Sequence, residues 1–527
     1  MPTRLAPCLV VVLGLTVVAL AACRSQGSSP PEAALPVVDL SGGPAFPLPA
    51  HLEATDLAAG TLTFQQIFDA GDDLFHTDFN AADGVGALRL PDGSPALRFG
   101  VVPPGGGAAM AFGSESCVRC HVNTASGPAQ SSLALDVDAD GRPPFRIRST
   151  TSLLGNGILQ LLAQELTEEL QAIRDEAGEA ARAQPGVRIE RELIAKDVRY
   201  GVVAATAGRD GAVTFDLSGR QGVDPDLVVR PFGWKGNIAT VRSFTMGAAL
   251  LAMSLQAEEF VWRLTDAGAP PDPDGDGVER ELSVGDVTAM VVYGAAQETP
   301  QGLARLAELG LVAAPSADDL ARIERGRAAF GQAGCDSCHK PEMRLVNTVF
   351  EEPTRRGNGN YIDMYLLGKN AGYDPERPVR FDVLQDAQAP RAEADADGGA
   401  VIRLFGDLKR HRMGRQLTDP PGVQPAIGGS FGPATFEDQP ITIGPDEFLT
   451  PELWGVGNTG PWLHDGRAGT LRDAILWHGE DDPPAAGRPE RSDAQESRDA
   501  FAALPPDDQE ALLTFLRSLR TFTQESS

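Results

Sequence analysis

Two copies of one short pattern carry the clearest chemistry in this sequence: two cysteines separated by two residues and followed at once by a histidine. The copies are Cys117–His121, with the letters CVRCH, and Cys335–His339, with the letters CDSCH. Cys-x-x-Cys-His is the attachment motif of c-type haem, in which both thiols bind the porphyrin and the histidine binds the iron. The pattern therefore predicts two covalently bound haem c groups. The attachment residues would be Cys117, Cys120, Cys335 and Cys338, and the proximal iron ligands would be His121 and His339.

The other cysteines support this interpretation because they leave few alternatives. The chain has 6 Cys, and the two outside the motifs are Cys8 and Cys23, both near the start. No cysteine remains for a structural disulfide or a catalytic thiol. A zinc site or a thiol-redox site at Cys-x-x-Cys is the alternative, but both copies continue to histidine and neither lies in a βαβ pattern.

The first residues have the pattern of an export signal. A positive charge precedes an apolar stretch at 9–20 that is too short to span a bilayer comfortably. The following Ala-Ala-Cys23 completes a sequence that resembles a bacterial lipobox, so we expect a signal peptide at 1–22 and lipidation of Cys23. An ordinary secretory signal cut just before Cys23 is the alternative. Either route predicts a periplasmic protein, and in the first the lipid would be its only membrane anchor.

Composition limits the partners of the remaining chain. Residues 23–50 are rich in proline and serine and predict a flexible tether. Lys and Arg number 45 against 73 Asp and Glu, which gives a formal net charge of −28. This balance argues against binding to nucleic acid, whereas a basic electron-donor protein or a small neutral oxidant would be compatible.

The spacing of apolar residues predicts a mainly α fold around the two motifs. One helix is expected over 63–79 ahead of the first motif, and another, capped by Ser316, ahead of the second. A closing helix is expected after Pro505. This order is typical of cytochrome c domains, so we expect an N-terminal haem domain at 51–315 and a C-terminal haem domain at 316–527.

Between the two motifs the sequence predicts three further segments. A long polar helix is expected from Ile158 to Ala183, and a helix from Phe232 through Phe260. The segment 186–230 between them is rich in turns and β-branched residues. We take it as a partly β insertion packed on the first haem domain.

An acidic loop follows the last of these helices. Asp272, Asp274 and Asp276 alternate with proline and glycine, and Glu281 comes shortly afterwards. Alternating carboxylates before a glycine resemble a calcium-binding loop, although Ser283 stands where an EF-hand has its last acidic ligand. The loop therefore predicts either a calcium site formed by these four acids or a solvated acidic turn.

Several blocks of the chain resemble the signature of one protein family. They are 449–455 (LTPELWG), 460–471 (GPWLHDGRAGTL) and 474–479 (AILWHG), with 232–236 (FGWKG) and 407–414 (DLKRHRMG) as further matches. These blocks are similar to those of the bacterial dihaem oxidoreductases, the peroxidase-like branch of the dihaem cytochrome c peroxidase and MauG superfamily. Together with both haem motifs, the resemblance covers most of the chain and implies an oxidoreductase.

The resemblance implies ligands for the C-terminal haem. In the superfamily, the residue fourteen places after the histidine of the His-Asp-Gly block is the distal ligand, and here that residue is His478. His339 and His478 would then give a low-spin iron suited to electron transfer. His464 itself would lie between the haems, near a propionate, without binding iron. A supporting role for His478, through hydrogen bonds only, is the alternative.

The resemblance also leaves the N-terminal haem without an evident distal ligand. The peroxidases have a displaceable distal histidine shortly after their first motif, whereas this chain has no histidine between His121 and His339. We therefore expect an open or water-bound iron at the first haem, as a substrate site needs. His76 and Met110 are alternative distal ligands.

Other positions depart from the peroxidase pattern. The distal catalytic glutamate of the peroxidases falls on Arg242, which can stabilise a leaving oxygen but is a poor base. Gln160 and Glu165 are candidates to replace that glutamate. Trp234 matches a tryptophan that relays electrons between haems in the superfamily, with ordinary core packing as the alternative. His411 would either support a haem or lie on the surface.

These expectations combine into one functional hypothesis. The chain would be a periplasmic dihaem oxidoreductase that reduces hydrogen peroxide at the N-terminal haem, with electrons passed from a donor protein through the C-terminal haem. A dihaem oxygenase of the rubber-oxygenase type is one alternative, because dioxygen activation does not need the same base. A non-catalytic electron-transfer cytochrome is the other.

Overall fold

The computed structural model of this chain describes residues 50–85, 98–102, 111–112, 116–121, 132–136, 146–266, 268, 270–354, 378–419, 435–436, 439–440, 442–481 and 491–521. All of them lie in one unit of the chain, Leu35–Ser527. The predicted signal peptide and the lipidation site at Cys23 lie outside the described residues.

Helices supply most of the regular structure. Across the described ranges, none of them has the length and apolar character needed to span a bilayer. The helices are α1 (Ala54–Ala58), α2 (Phe64–His76), α3 (Asn156–Ala183), α4 (Val241–Ala248), α5 (Glu258–Asp266), α6 (Val284–Ala295), α7 (Leu303–Glu308), α8 (Ala317–Gln332), α9 (Leu471–Leu476), α10 (Gln495–Ala503) and α11 (Pro506–Ser518).

The strands form small antiparallel sheets. They are β1 (Arg98–Val102), β2 (Ala111–Phe112), β3 (Ser132–Asp136), β4 (Arg146–Ser149), β5 (Arg188–Ala195), β6 (Val198–Ala207), β7 (Val213–Asp216), β8 (Met343–Leu345), β9 (Val349–Glu352), β10 (Val379–Asp382), β11 (Ala400–Ile402), β12 (Arg410–Arg412), β13 (Thr435–Phe436), β14 (Gln439–Pro440) and β15 (Glu447–Leu449). Their orders are β2-β1-β3-β4 and β5-β6-β7, with the pairs β9/β10, β8/β11, β12/β15 and β13/β14. The mainly α expectation holds in part, because strands also occur outside the predicted insertion.

The long helix α3 and the sheet β5-β6-β7 lie where the sequence predicted a polar helix and a β-rich segment. Apolar residues recur along one face of α3, and Leu162, Leu166 and Leu170 are fully buried. This face packs against β5 and β6. The burial explains why a helix with so many charged residues is stable here.

The segment predicted as one helix from Phe232 through Phe260 is instead two helices. α4 ends at Ala248 and continues as a wide turn over Ala249–Met253, in which the N–H of Leu255 reaches the carbonyl of Ala249 at 3.0 Å. Ser254 then adopts a left-handed conformation with φ of 62°. A left-handed residue ends a helix, so α5 begins separately at Glu258.

The helix before the first haem motif crosses α6 at a glycine. A Cβ atom added to Gly71 of α2 would lie 2.1 Å from the carbonyl oxygen of Ala289 and 2.8 Å from Cβ of Tyr293. The two helices can approach this closely only because position 71 has no side chain. The sequence predicted α2, but it did not identify α6 as the helix that packs against it.

The helix before the second motif repeats this arrangement. Ser316 caps α8 by accepting a hydrogen bond from the N–H of Asp319 at 3.1 Å, as the sequence predicted. A Cβ atom added to Gly326 would lie 2.0 Å from the carbonyl oxygen of Ala511 and 2.8 Å from Cβ of Phe515. The closing helix α11 therefore packs on the opening helix α8, again with contact residues four positions apart.

The buried apolar side chains form two groups. The larger surrounds α3 and α6, and the smaller joins α8 to α11. In the smaller group, the rings of Phe330, Phe405 and Phe515 have centroids 5.5 to 6.3 Å apart. The larger group includes Phe350 and Phe381, which come after residue 315. The expected division of the chain into domains at 315/316 therefore stays a prediction.

The close crossing of α8 and α11 gives a test of the fold. Replacing Gly326 with alanine should destabilise the protein by about 1–3 kcal/mol, because the new methyl group overlaps the backbone of α11. Chemical denaturation would measure the loss. The matched control is Gly469→Ala, where a Cβ atom meets nothing within 4 Å. Equal stability of the two variants would contradict the packing described.

Candidate functional site

The two Cys-x-x-Cys-His segments adopt the same local conformation. Each begins as a short 3₁₀ turn, at Cys117–Arg119 and at Cys335–Ser337. In each, the N–H of the motif histidine donates to the carbonyl of the first cysteine at 3.0 Å. The five-residue pattern therefore fixes the position of the histidine relative to both thiols.

The rings of the two motif histidines are oriented in the same way. Nδ1 of His121 lies 3.0 Å from the carbonyl oxygen of Thr151, and Nδ1 of His339 lies 3.0 Å from that of Phe405. A carbonyl oxygen only accepts hydrogen bonds, so Nδ1 carries the proton and Nε2 keeps a lone pair for a metal. Burial lowers the pKa of both rings to about 4, which keeps them neutral at pH 7.

A cavity of about 270 Å³ lies beside His339, and we call it the second cavity. Its walls contain Cys335, Cys338 and His478 together with His339. Most of the other lining residues are apolar, among them Phe330, Leu417, Phe448, Leu453, Val456, Trp462, Leu471, Ile475, Leu512 and Leu516. Two thiols and a proximal imidazole in an apolar cavity fit a covalently bound haem.

The structure brings His478 into the same cavity as His339. Nδ1 of His478 lies 2.7 Å from the carbonyl oxygen of Ala474, so its Nε2 is also left with a free lone pair. Burial lowers the pKa of His478, and its ring is near enough to His339 for a charge on one to disfavour a charge on the other. Its predicted role as a distal ligand stays a prediction.

The first cavity, of about 160 Å³, lies beside His121. Polar residues lead into it, including Thr150, Thr151 and Asn156, and apolar residues such as Leu159 and Phe232 complete it. Cys117 and Cys120 belong to the turn just before His121 but do not line this cavity. The ring geometry of His121 fits a haem ligand, and part of the surrounding chain lies outside the described residues.

The two cavities have a wall in common, which we call the dividing wall. The residues that line both cavities are Trp234, Leu449, Pro451, Glu452, Trp454, Thr459 and Pro461. Nε1 of Trp234 donates to the carbonyl of Ser149 at 2.7 Å, and Nε1 of Trp454 donates to that of Arg403 at 3.0 Å. Both indole rings are thereby fixed between the two histidine-containing cavities.

Glu452 is the residue in this wall that the sequence analysis missed. Within the described part of the chain its carboxylate forms no ion pair and no hydrogen bond to another residue. Burial raises the pKa of Glu452 to about 7. The one signal in the sequence was an acidic residue inside the otherwise apolar block LTPELWG.

His464 lines the second cavity without bonding to a motif histidine. Its ring stacks on Phe448 with centroids 4.4 Å apart, and burial lowers the pKa of His464 to about 4. Beside it, Asp419 pairs with Arg148 at 2.6 Å and with Lys235 at 3.1 Å. The placement is compatible with the non-ligand role expected for His464, and the propionate contact stays a prediction.

Arg242, the residue expected at the position of the catalytic glutamate, and its two proposed substitutes line neither cavity. Arg242 is fully buried, bonds to Glu352 at 2.6 Å and also contacts Glu259. Gln160 accepts a hydrogen bond from the N–H of Val241 at 2.8 Å. Glu165 pairs with Lys196 at 2.7 Å. Each of the three side chains bonds to another buried group of the protein. This geometry therefore gives no support to the catalytic roles predicted for the three residues.

The remaining histidines also have partners. Nδ1 of His76 lies 3.0 Å from the carbonyl oxygen of Asp72, and His76 does not line the first cavity. The other alternative distal ligand, Met110, lies outside the described residues. His411 lines the second cavity next to Cys338, and although burial opposes it, the hydrogen bond to Asp407 raises the pKa of His411 to about 11.

The acids predicted to bind calcium come together away from both cavities. Ligand oxygens of Asp272, Asp274 and Asp276 all lie within 4.8 Å of one another. Glu281 is buried close by, and its charge interacts with all three.

Comparison with known proteins agrees with the dihaem resemblance. Residues 436–519 match the family described as "Di-haem oxidoreductase, putative peroxidase". No curated protein matches the sequence. Among solved structures, a MauG-like protein associated with microbial copper homeostasis is 16% identical, with 60% of this chain and 78% of that chain covered and a TM-score of 0.28. At that TM-score, no feature of the fold is inferred from it. The match covers residues 436–519, a stretch that includes His464 and His478, and it supports the resemblance to the dihaem oxidoreductases and an oxidoreductase activity.

Proposed function

We propose that this protein is a periplasmic dihaem c-type cytochrome that reduces hydrogen peroxide at the first haem with electrons passed from the second. The observation that carries the proposal is the dividing wall, which separates two histidine-containing cavities and contains two fixed tryptophans. The periplasmic location rests on the export signal ending at Cys23 and on the compartment in which bacterial c-type haem is attached.

The cysteine pairs would hold both haems covalently, so that neither is lost when its iron changes oxidation state. Burial raises the pKa of Cys117 and Cys335 to about 12, so both are neutral thiols before attachment. When bound, haem supplies an iron that exchanges single electrons and, at an open position, binds a small oxidant.

The second cavity has the features of an electron-entry site. His339 and His478 present two neutral imidazoles with free Nε2 atoms, and backbone carbonyls fix both rings. Ligation by both would leave no position for a substrate. The mostly apolar walls would exclude water and limit the rearrangement that accompanies each electron transfer.

The first cavity has the features of a reaction site. Among its described lining residues, His121 is the one histidine, whereas both His339 and His478 line the second cavity. Thr150, Thr151 and Asn156 supply hydrogen-bonding groups of a size suited to a small polar oxidant. This contrast with the second cavity supports a division of labour between the two haems.

Trp234 would help electrons cross between the cavities. Its ring lines both, and the hydrogen bond to Ser149 at 2.7 Å holds it in one orientation. A rigid aromatic ring between two haems shortens the gap that an electron must cross. Trp454 could act in parallel, since it also lines both cavities.

Glu452 would supply protons. Reduction of hydrogen peroxide to two waters consumes two electrons and two protons, and no side chain proposed from the sequence delivers the protons. The carboxyl of Glu452 lies in the dividing wall, and with its pKa raised by burial to about 7 it can both take and release a proton near neutral pH.

The overall reaction is tested by electron paramagnetic resonance of the ferric protein before and after one equivalent of hydrogen peroxide. We expect one high-spin and one low-spin signal, loss of the high-spin signal with peroxide, and peroxide consumption when a reduced donor is added. Two low-spin signals without turnover would favour a pure electron carrier instead. Dioxygen uptake by a protein indifferent to peroxide would favour the oxygenase.

The ligand assignment is tested by replacing His478 with alanine. The second haem should change from low-spin to high-spin, because its iron loses one of two imidazoles. His411→Ala is the matched control, since His411 lines the same cavity but donates to Asp407. An unchanged low-spin signal in the His478 variant would rule out this histidine as the ligand.

The role of Glu452 is tested by the pH dependence of the haem reduction potentials. Adding an electron to a nearby haem raises the pKa of the carboxyl, so the wild-type potential should fall above pH 7 by up to about 59 mV per pH unit. Glu452→Gln should remove this slope. Glu342→Gln, which changes an exposed carboxylate near the second motif, should keep it. A slope retained in the Glu452 variant would exclude Glu452 as the proton group.

A further inference from the structure

The acidic loop between α5 and α6 brings carboxylates together at close range. Asp272, Asp274 and Asp276 each place one carboxylate oxygen within 4.8 Å of the other two. Asp272 also accepts from the backbone N–H groups of Gly275 and Gly277, at 2.7 and 3.0 Å, which turns the loop around these acids. An acidic turn by itself is common on protein surfaces, so the burial of its members decides what it can do.

Asp274 differs from a surface acid in two ways. Its side chain is only 8% exposed, and neither of its carboxylate oxygens has a hydrogen-bond partner of good geometry. Gln256, only 1% exposed, lies beside it, and the Nε2 atom of Gln256 also lacks a partner of good geometry. Buried polar atoms are nearly always bonded, so this cluster has room for a ligand that the protein itself does not provide.

Glu281 completes the cluster from the far end of the loop. It is 3% exposed, and one of its carboxylate oxygens accepts the backbone N–H of Gln256 at 2.6 Å. A cation bound among the three aspartates, with Glu281 buried beside them, would offset the repulsion between their charges.

We propose that Asp272, Asp274, Asp276 and Glu281 bind one calcium ion. The donor set is made of oxygen atoms from four carboxylates, with neither histidine nor cysteine, as calcium prefers. The irregular loop suits the flexible coordination of calcium better than the strict octahedron of magnesium.

The structure also explains why the sequence lacks the last acid of an EF-hand. The hydroxyl of Ser283 accepts a hydrogen bond from the N–H of Asp286 at 3.0 Å and caps α6, so it serves the helix rather than the acidic loop. Glu281, two residues earlier, turns inward and supplies the acid. Its Cγ atom packs against Gly84, where an added Cβ would lie at 2.2 Å, so a cation here would also anchor the turn before the first haem motif.

The proposal is tested by titrating the full-length, haem-loaded protein with calcium chloride in a calorimeter after chelation. Wild type should bind one calcium ion. The Asp274→Asn variant should bind calcium at least about tenfold more weakly, or not at all, because one carboxylate charge is removed. Asp210→Asn is the matched control: Asp210 is an exposed turn acid that accepts the N–H of Ala212 at 3.1 Å. Its titration should equal that of wild type.

A second variant separates loss of the site from misfolding. Without calcium, Glu281→Gln should be about as stable to heat as wild type, because the amide has the same size and its oxygen can accept the same backbone N–H of Gln256. With calcium, only wild type should gain stability.

Three results would overturn the calcium site. They are an Asp274 variant that titrates like wild type, a wild type that shows neither heat nor thermal shift with calcium, and equal binding of magnesium at the same concentration. None of these results depends on the reaction at the haems, so the calcium site and the proposed peroxidase activity are tested independently.

Discussion

Each motif histidine is oriented by one hydrogen bond from its Nδ1 to a backbone carbonyl, and the rest of the site depends on where those two carbonyls lie. The carbonyl that holds His121 belongs to Thr151, just before α3. The one that holds His339 belongs to Phe405, a residue in left-handed backbone between β11 and β12. Both bonds leave Nε2 free, so the same constraint that positions each ring prepares it for iron.

From these anchor points the chain builds a wall between the cavities. The carbonyl oxygen of Ser149 accepts a hydrogen bond from Nε1 of Trp234, and the backbone N–H of Ser149 donates to the carbonyl oxygen of His464 at 2.8 Å. A single residue at the end of β4 thus links two blocks that are more than two hundred positions apart. Gly155, at the start of α3, has φ of 71°, and an added Cβ would lie 2.4 Å from the ring of Trp454, so α3 packs directly on the wall.

Buried ion pairs fix the same segments relative to one another. Arg230 pairs with Asp224 at 2.8 Å, and Arg410 pairs with the same aspartate, which joins the insertion to β12. Asp419 joins Arg148 to Lys235. Buried pairs of this kind add little net stability, but breaking one leaves an uncompensated charge, so they favour one arrangement of the chain over its alternatives.

Arg242 and Glu452 illustrate how alignment and packing differ as evidence. The resemblance to the peroxidases implied that Arg242 stands where those enzymes have a catalytic acid. In the structure the guanidinium of Arg242 pairs with Glu259 and Glu352 and donates a hydrogen bond to Thr288. Glu452 has no counterpart in that reasoning, and its carboxylate is the one in the dividing wall. An aligned position does not say which way a side chain points.

The sequence by itself determined the features that are local. The Cys-x-x-Cys-His turns are closed by bonds within five residues, the cap of α8 by Ser316 and Asp319, and the acidic loop by its own backbone. Only the tertiary structure decided which distant segments meet. Trp234, Glu452 and Trp454 form one wall because β4, α3 and the 449–462 segment pack together. The helix break at Ser254 follows from the left-handed backbone of that one residue, which the periodicity of apolar residues does not reveal. Short-range spacing encodes bond geometry along the chain, whereas the wall depends on contacts between residues that are far apart in sequence.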